Sequence, residues 1–191
     1  LFFSDVHVPN CFIKSEKITE LIKSTKSLDA VIFGGDISNH GKRSDLGVRY
    51  INEIATVCES LNIPFLGVTG NHDVEFPKKD LQQCRFINLN DNSTDIRDFT
   101  LRGMTDSGRH PRIWYDSPFK ASCDKTNVLI CHNPDWLLHG ASKAQLDHID
   151  YMISGHVHGG QLRLPFAIEN KVFRKDLLPR RDIVNGSFDG A

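Results

Sequence analysis

The segment IPFLGVTGNHD, residues 63–73, joins a short apolar run to a cluster of polar side chains. The apolar part is too short for a helix and contains β-branched and aromatic residues, which predicts a buried strand. The same pattern occurs in LFFSDVH at 1–7 and in DAVIFGGD at 29–36. The sequence therefore predicts three strands whose carboxyl ends all carry polar residues.

Two segments with a helical spacing of apolar residues separate these strands. They span residues 14–28 and 44–61. Alternating strands and helices predict a parallel sheet covered by helices. In open α/β sheets, ligands bind outside the carboxyl ends of the strands. The polar residues of the three predicted strands stand at these ends.

The second half of the chain has a different pattern. Residues 85–89 and 99–104 are predicted to be short strands, and the turn-rich segment between them suggests antiparallel pairing. Residues 127–135 and 149–158 repeat the change from apolar strand to polar residues, with a short helix predicted at 142–148. Five predicted strands thus end in candidate ligands, and we expect these ends to converge.

The bulk composition predicts one ordinary globular domain. The chain has 191 residues and a net charge of −1, so no nucleic-acid partner is expected. Five scattered cysteines without C-x-x-C spacing predict free thiols in a reducing compartment, and hence a cytoplasmic location. The chain begins directly on a hydrophobic strand, so we expect a fragment trimmed at its N-terminus. A lost N-terminal membrane anchor remains an open alternative.

The polar residues at the strand ends form a set of candidate metal ligands. Carboxylate, imidazole and amide donors without thiolates suit Mn²⁺, Fe or Zn²⁺. The set exceeds the three or four protein ligands of one open catalytic ion, and it suits two ions about 3.5–4 Å apart, with Asp36 as the bridge. Each residue alone has a structural alternative, such as a strand-end cap, a turn position or a satisfied core histidine. The candidates are Asp5, His7, Asp36, Asn71, His72, Asp73, His132, His156 and His158.

The combination of motifs resembles the calcineurin-like metallophosphoesterases. The matching segments are DVH at 5–7, GD at 35–36, GNHD at 70–73, His132 and GHVH at 155–158. The resemblance implies an α/β fold over 1–191, a single four-layer sandwich of two mixed β-sheets flanked by helices. It implies that one metal is held by Asp5, His7, Asp36 and His158. It implies that the second metal is held by Asp36, Asn71, His132 and His156.

The same resemblance implies a catalytic role for His72 as a residue that is not a ligand. Two divalent cations, with Mn²⁺ as the first choice, would lower the pKa of a bridging water so that hydroxide attacks phosphorus at neutral pH. His72 would protonate the leaving oxygen or stabilise the transition state. For Asp73, two interpretations remain open: it orients His72, or it caps a turn.

The segments HNPD at 132–135 and SGHVHGGQLRLPF at 154–166 resemble a narrower branch of the family. This branch includes membrane-associated phosphoesterases and the UDP-2,3-diacylglucosamine pyrophosphatases of lipid A synthesis. The resemblance implies cleavage of a nucleotide-linked lipid to UMP and lipid phosphate. The alternatives are a phosphodiesterase or phosphatase that acts on nucleotides or phosphoproteins, and a scaffold that has lost catalysis. Residues 167–191 are weakly patterned and suggest a cap or a mobile segment.

The segment 161–181 combines charge with apolar residues. It holds six basic and two acidic residues, a net charge of +4, and eight apolar residues lie among them. Such a segment is either a solvated surface loop or a peripheral contact with the inner face of the cell membrane that admits acyl chains.

Overall fold

The computed structural model describes residues 1–106, 124–139 and 147–158, which form two four-stranded sheets with helices. The first sheet is parallel. Its strands, in spatial order, are β1 (Phe2–Phe3), β2 (Val31–Phe33), β3 (Phe65–Gly67) and β4 (Ile87–Asn88). Phe3 pairs with Phe33, and Phe33 pairs with Gly67, so the polar segments after these strands leave the sheet at one edge. The predicted parallel sheet is confirmed.

Two helices connect the first three strands and pack on one face of this sheet. They are α1 (Ser15–Ser24) and α2 (Ser44–Ser60). The prediction for α2 is confirmed, whereas α1 ends before residue 28. The hydroxyls of Ser24 and Thr25 both donate to the Leu21 carbonyl, and Thr25 has an extended backbone, so these two residues end the helix. A 3₁₀ turn (Asp73–Glu75) and a short helix α3 (Lys78–Leu81) follow β3.

The second sheet is mixed. Its strands, in spatial order, are β5 (Ser93–Ile96), β6 (Phe99–Met104), β7 (Thr126–Cys131) and β8 (Tyr151–Ser154). β5 is antiparallel to β6, and the remaining pairs are parallel. Cys131 pairs with Ser154, so the residues that follow β7 and β8 leave the sheet side by side.

The predicted antiparallel pairing of residues 85–89 with 99–104 is wrong. β4 lies within the first segment and pairs in parallel with β3, whereas β6 pairs antiparallel with β5. β5 lies inside the segment that we interpret from sequence as a turn. It is a polar edge strand that alternates between exposed and half-buried positions, and such a sequence gives little strand signal. The chain therefore passes from the first sheet to the second between residues 88 and 93.

Alternation of side chains along the strands creates three apolar interiors. Val31 and Phe33 pack towards α1 and α2, whereas Ile32 between them faces the second sheet. In the same way Ile130 lies between the sheets, and Leu129 packs against the start of a short helix, α4 (Trp136–His139). The order helix, sheet, sheet, helix is the α/β sandwich that the resemblance implies, with the difference that the described first sheet is parallel and only the second is mixed.

Several predictions fall outside the described part of the chain. These are the segment 161–181, the cap or mobile segment 167–191, and most of the helix at 142–148, of which residues 147–148 form a turn. The four cysteines in the described ranges, Cys11, Cys58, Cys84 and Cys131, are free. None of the helices described has the length and apolar character needed to cross a membrane.

Candidate metal centre

All nine candidate residues lie at one edge of the sandwich, where the carboxyl ends of the strands of both sheets meet. In the first sheet, β1 is followed by Asp5, β2 by Asp36 and β3 by Asn71. In the second sheet, β7 is followed by His132 and β8 by His156. The two sheets are joined here by hydrogen bonds between residues far apart in sequence. The backbone amide of His156 donates to both carboxylate oxygens of Asp5, at 3.1 Å each.

One group of ligand atoms comes from the segments after β1 and β8. Nε2 of His158 lies 3.6 Å from Asp5 Oδ1, and Nε2 of His7 lies 3.8 Å from the same oxygen. The three ligand atoms lie within 4.8 Å of one another. The His7 and His158 rings are stacked, with centroids 4.9 Å apart. This group corresponds to the first implied metal site without Asp36.

Asp36 connects this group to the second. Its Oδ2 lies 3.4 Å from His7 Nε2 and 3.2 Å from His132 Nε2. Its Oδ1 accepts a hydrogen bond of 2.9 Å from the His72 backbone amide. One carboxylate oxygen therefore faces a histidine from each implied site, which is the placement that a bridging ligand requires.

The second group centres on the side-chain oxygen of Asn71. This Oδ1 lies 3.1 Å from His132 Nε2 and 2.9 Å from His156 Nδ1. The other ring nitrogen of His132, Nδ1, lies 2.7 Å from the Gly34 carbonyl oxygen. A carbonyl only accepts, so Nδ1 carries the proton and Nε2 is the nitrogen available to a metal.

The backbone at five of the seven predicted ligands is left-handed. The φ angles are 58° at Asp5, 50° at His7, 63° at Asp36, 68° at His156 and 52° at His158. Residues other than glycine adopt this conformation at a cost, and such residues cluster at active sites. Five of the eleven non-glycine residues with this conformation in the described part of the chain are therefore predicted metal ligands.

Glycines at the strand ends make room for the acidic ligands. A Cβ on Gly70 would overlap Oδ1 of Asp36, and a Cβ on Gly155 would lie 2.8 Å from Oδ2 of Asp5. The positive φ angles in this loop belong to His156 and His158, and the φ angle of Gly155 lies outside the left-handed region. Gly155 is therefore required for close approach to Asp5.

Asp73 is buried, and its carboxylate accepts hydrogen bonds from backbone amides. The donors are Asp36 at 2.8 Å, Ile37 at 2.7 Å and Gly70 at 2.9 Å. Within the described ranges no hydrogen bond joins this carboxylate to the His72 ring. Asp73 thus ties the loop after β2 to the loop after β3, and a catalytic role for it remains a prediction.

His72 has two histidine neighbours, one of which the sequence did not single out. Its ring centroid lies 4.8 Å from that of His7 and 4.0 Å from that of His40. His40 stands four residues after Asp36, beyond the strand end itself, so the strand-to-polar pattern did not reach it. Its position before Gly41 in a predicted loop is the signal that the sequence offers.

The charges at the centre follow from burial and from the Asp36–His132 pair. Burial opposes ionisation of Asp36, but the hydrogen bond and the charge of His132 outweigh burial and lower the pKa of that carboxyl to about 2. Burial lowers the pKa of His132, but the hydrogen bond and charge of Asp36 outweigh it and raise this pKa to about 9. Burial also lowers the pKa of His72 and of His7, and it raises that of Asp73 to about 7, with the Asp36 charge as the next cause.

These residues fit a pair of divalent cations. Nε2 of His7 is buried and makes no hydrogen bond, although it faces Asp5 and Asp36. Buried polar atoms normally have a partner, and a metal would supply one here. The donors are oxygen and imidazole nitrogen without thiolate, which suits Mn²⁺, Fe or Zn²⁺. The distances alone also group His72 with His7 and Asp36, so its exclusion as a ligand stays a prediction.

Comparison with known proteins agrees with this class of site. A family model described as calcineurin-like phosphoesterase matches residues 1–160. The chain belongs to this family.

Two proteins of Bacillus subtilis (strain 168) are similar to this chain. "Uncharacterized metallophosphoesterase YkoQ" is 23% identical over 178 residues, which cover 86% of this chain and 62% of the relative. "Uncharacterized protein YpbG" is 29% identical over 175 residues, which cover 85% of this chain and 61% of the relative. The chain thus spans about three fifths of the length of these relatives.

Proposed function

We propose that the chain hydrolyses a phosphodiester or pyrophosphate with two divalent cations, for which Mn²⁺ is the first choice. The observation that carries this proposal is the position of Asp36, whose Oδ2 faces His7 on one side and His132 on the other. One cation would be held by Asp5, His7, Asp36 and His158. The other would be held by Asp36, Asn71, His132 and His156.

The cations, when bound, lower the pKa of water and offset the charge that develops on the phosphoryl oxygens. The protein contributes the remaining parts. Asp73 holds the two loops that carry Asp36 and His72 through three backbone amides. His72 lies beside the cluster, and because its Nδ1 is buried, Nε2 is the ring nitrogen that would donate a proton to the leaving oxygen.

For the substrate, we propose UDP-2,3-diacylglucosamine, cleaved at its pyrophosphate to UMP and lipid phosphate. The support is the resemblance of residues 132–135 and 154–166 to that branch, together with the basic and apolar composition of residues 161–181. The names of the two relatives specify no substrate. The same composition supports a peripheral contact with the inner face of the cell membrane.

A substrate panel tests this proposal. The metal-loaded protein is assayed with bis-p-nitrophenyl phosphate, a cyclic nucleotide, a phosphopeptide and the nucleotide-linked lipid. The proposal expects hydrolysis of the soluble diester and the highest kcat/KM for the lipid. Hydrolysis of the diester without the lipid would retain the metal mechanism and reject the substrate. No hydrolysis of any compound by protein with two bound metals would favour a scaffold.

A charge variant tests the membrane contact. Arg174, Lys175, Arg180 and Arg181 are replaced together by glutamine, and the matched control replaces four exposed lysines in and near α1 by glutamine, namely Lys14, Lys17, Lys23 and Lys26. Basic residues near an anionic leaflet contribute about 1 kcal/mol each, so binding to anionic vesicles and lipid turnover should fall in the first variant only. Unchanged vesicle binding and lipid turnover in that variant would leave the segment a surface loop.

A further inference from the structure

Within the described residues, the ring of His72 makes no hydrogen bond to a carboxylate. Its Nδ1 is buried without a hydrogen-bond partner, and the neighbouring Asp73 carboxylate is occupied by three backbone amides. Among the described residues, the aromatic rings that pack against it are those of His7 and His40. Their centroids lie 4.8 Å and 4.0 Å from that of His72. Packing against these two rings is therefore a contact that can orient His72.

His40 is itself held by the turn that follows His72. Its Nδ1 lies 3.4 Å from Oε2 of Glu75, at the end of the 3₁₀ turn. Gly41 has φ +67°, and a Cβ there would overlap the Glu75 carbonyl oxygen, so the two segments are in close contact. His40 has a left-handed backbone with φ 54°. The loop after β2 thus fixes His40 against the turn and against the His72 ring.

His40 also lies outside the candidate metal ligands. None of the three ligand groups found in the described part of the chain contains it. Removing its ring should therefore leave the ligands in place and change only what packs on His72. This separates a role in positioning from a role in metal binding.

We propose that His40, held by Glu75, is a positioning residue that fixes the ring of His72 for catalysis. This inference rests on the proposed function, in which His72 donates a proton to the leaving oxygen. A misplaced reacting group costs as much as about a hundredfold in rate. Loss of the His40 ring should lower kcat and leave KM unchanged.

Two substitutions at position 40 separate the contributions of its ring. His40→Asn removes the ring and tolerates the left-handed backbone, because asparagine is among the residues that adopt it most readily. His40→Phe keeps a flat ring against His72 and removes the contact with Glu75. His148→Ala is the control, since His148 is exposed in the turn before β8, at the opposite end of that strand.

Kinetics on bis-p-nitrophenyl phosphate form the first part of the test. His40→Asn should lower kcat roughly 10–100-fold with two metals retained. His40→Phe should recover only part of this loss, because its ring can pack on His72 but is no longer held by Glu75. In the His72→Asn background, His40→Asn should cause no further decrease, because residues that act through one another are not additive. An equal loss in both backgrounds, a rise in KM alone, or loss of metal would overturn the proposal.

A spectroscopic measurement does not depend on activity. In the Zn²⁺-loaded protein with ¹⁵N-labelled histidine, the His72 ring should give one set of signals with contacts to the His40 ring. The His72→Asn spectrum identifies these signals. In His40→Asn, the His72 signals should broaden or multiply, and an unchanged single set would refute the positioning role. If the wild type hydrolyses nothing, the proposed function fails while this measurement still decides the role of His40.

Discussion

The paired charges of Asp36 and His132 predict how the stability of the metal-free protein depends on pH. The pKa of His132 is raised from 6.5 to about 9, and its side chain is fully buried. A raised histidine pKa contributes stability that is complete below about pH 6.5 and lost as the pH rises through about 9. The full contribution is about 3 kcal/mol, since each tenfold increase in proton affinity corresponds to about 1.4 kcal/mol.

Asp36→Asn removes the charge that raises this pKa. Between pH 7.5 and 9.5, metal-free wild-type protein should lose about 2 kcal/mol of unfolding free energy through His132, and Asp36→Asn should lose little of it. The measurement is urea denaturation in the presence of a chelator at several pH values in this interval. Other groups that titrate there affect both proteins, so the difference between the two curves isolates the pair.

Asp45→Asn is the matched control. Its carboxylate is exposed and pairs with Arg43, so this variant should follow the wild-type curve. Parallel curves for wild type and Asp36→Asn would show that Asp36 does not hold a proton on His132, and would refute the reasoning. Since a metal must displace that proton from Nε2, apparent metal affinity should also increase as the pH rises towards 9.

Three further predictions concern the metals and the site. A chelator should abolish hydrolysis, Mn²⁺ should restore it best, and Asp36→Ala should lose most activity; full activity in either case would exclude the two-metal model. His72→Asn should keep two metals by elemental analysis while kcat falls about 10²–10⁴-fold; metal loss would make His72 a ligand and our assignment of Asn71 wrong. Gly70→Ala should bind less metal and lose about 1–3 kcal/mol of stability, because its Cβ would overlap the Asp36 carboxylate. Gly47→Ala, whose Cβ would meet side-chain atoms alone, should keep its metals.

The convergence of the candidate ligands was predictable because the signal is local. Polar residues follow each of these strands within a few positions, and parallel pairing places the ends of neighbouring strands side by side. The prediction therefore needs no knowledge of the tertiary contacts. His132 directly follows β7, and Asp5 stands two residues after β1. The division of the strands between two sheets was not predictable in this way. The segments that contain β4 and β6 both resemble short strands in sequence, and only their pairing with different neighbours separates them.

The finer contacts of the site depend on residues that are distant in sequence. The carboxylate of Asp73 binds the amides of Asp36 and Ile37, and no pattern around GNHD reports this. His40 packs on His72 only because the loop after β2 lies against the 3₁₀ turn. These contacts depend on how the loops pack against one another, and the residues at the strand ends do not predict that packing.

The hydrogen bonds from the His156 amide to the Asp5 carboxylate join residues 151 positions apart. At about 5–20 residues per second, a ribosome makes Asp5 roughly 8–30 s before its partner. During synthesis the first sheet can therefore form with its share of the acidic ligands while the histidines of the second sheet are still missing. At that stage the nascent chain carries only the candidate ligands of the first sheet. If the centre holds the two ions that we propose, capture of both would have to wait until the last described strand has emerged and docked, so a complete centre would require both sheets.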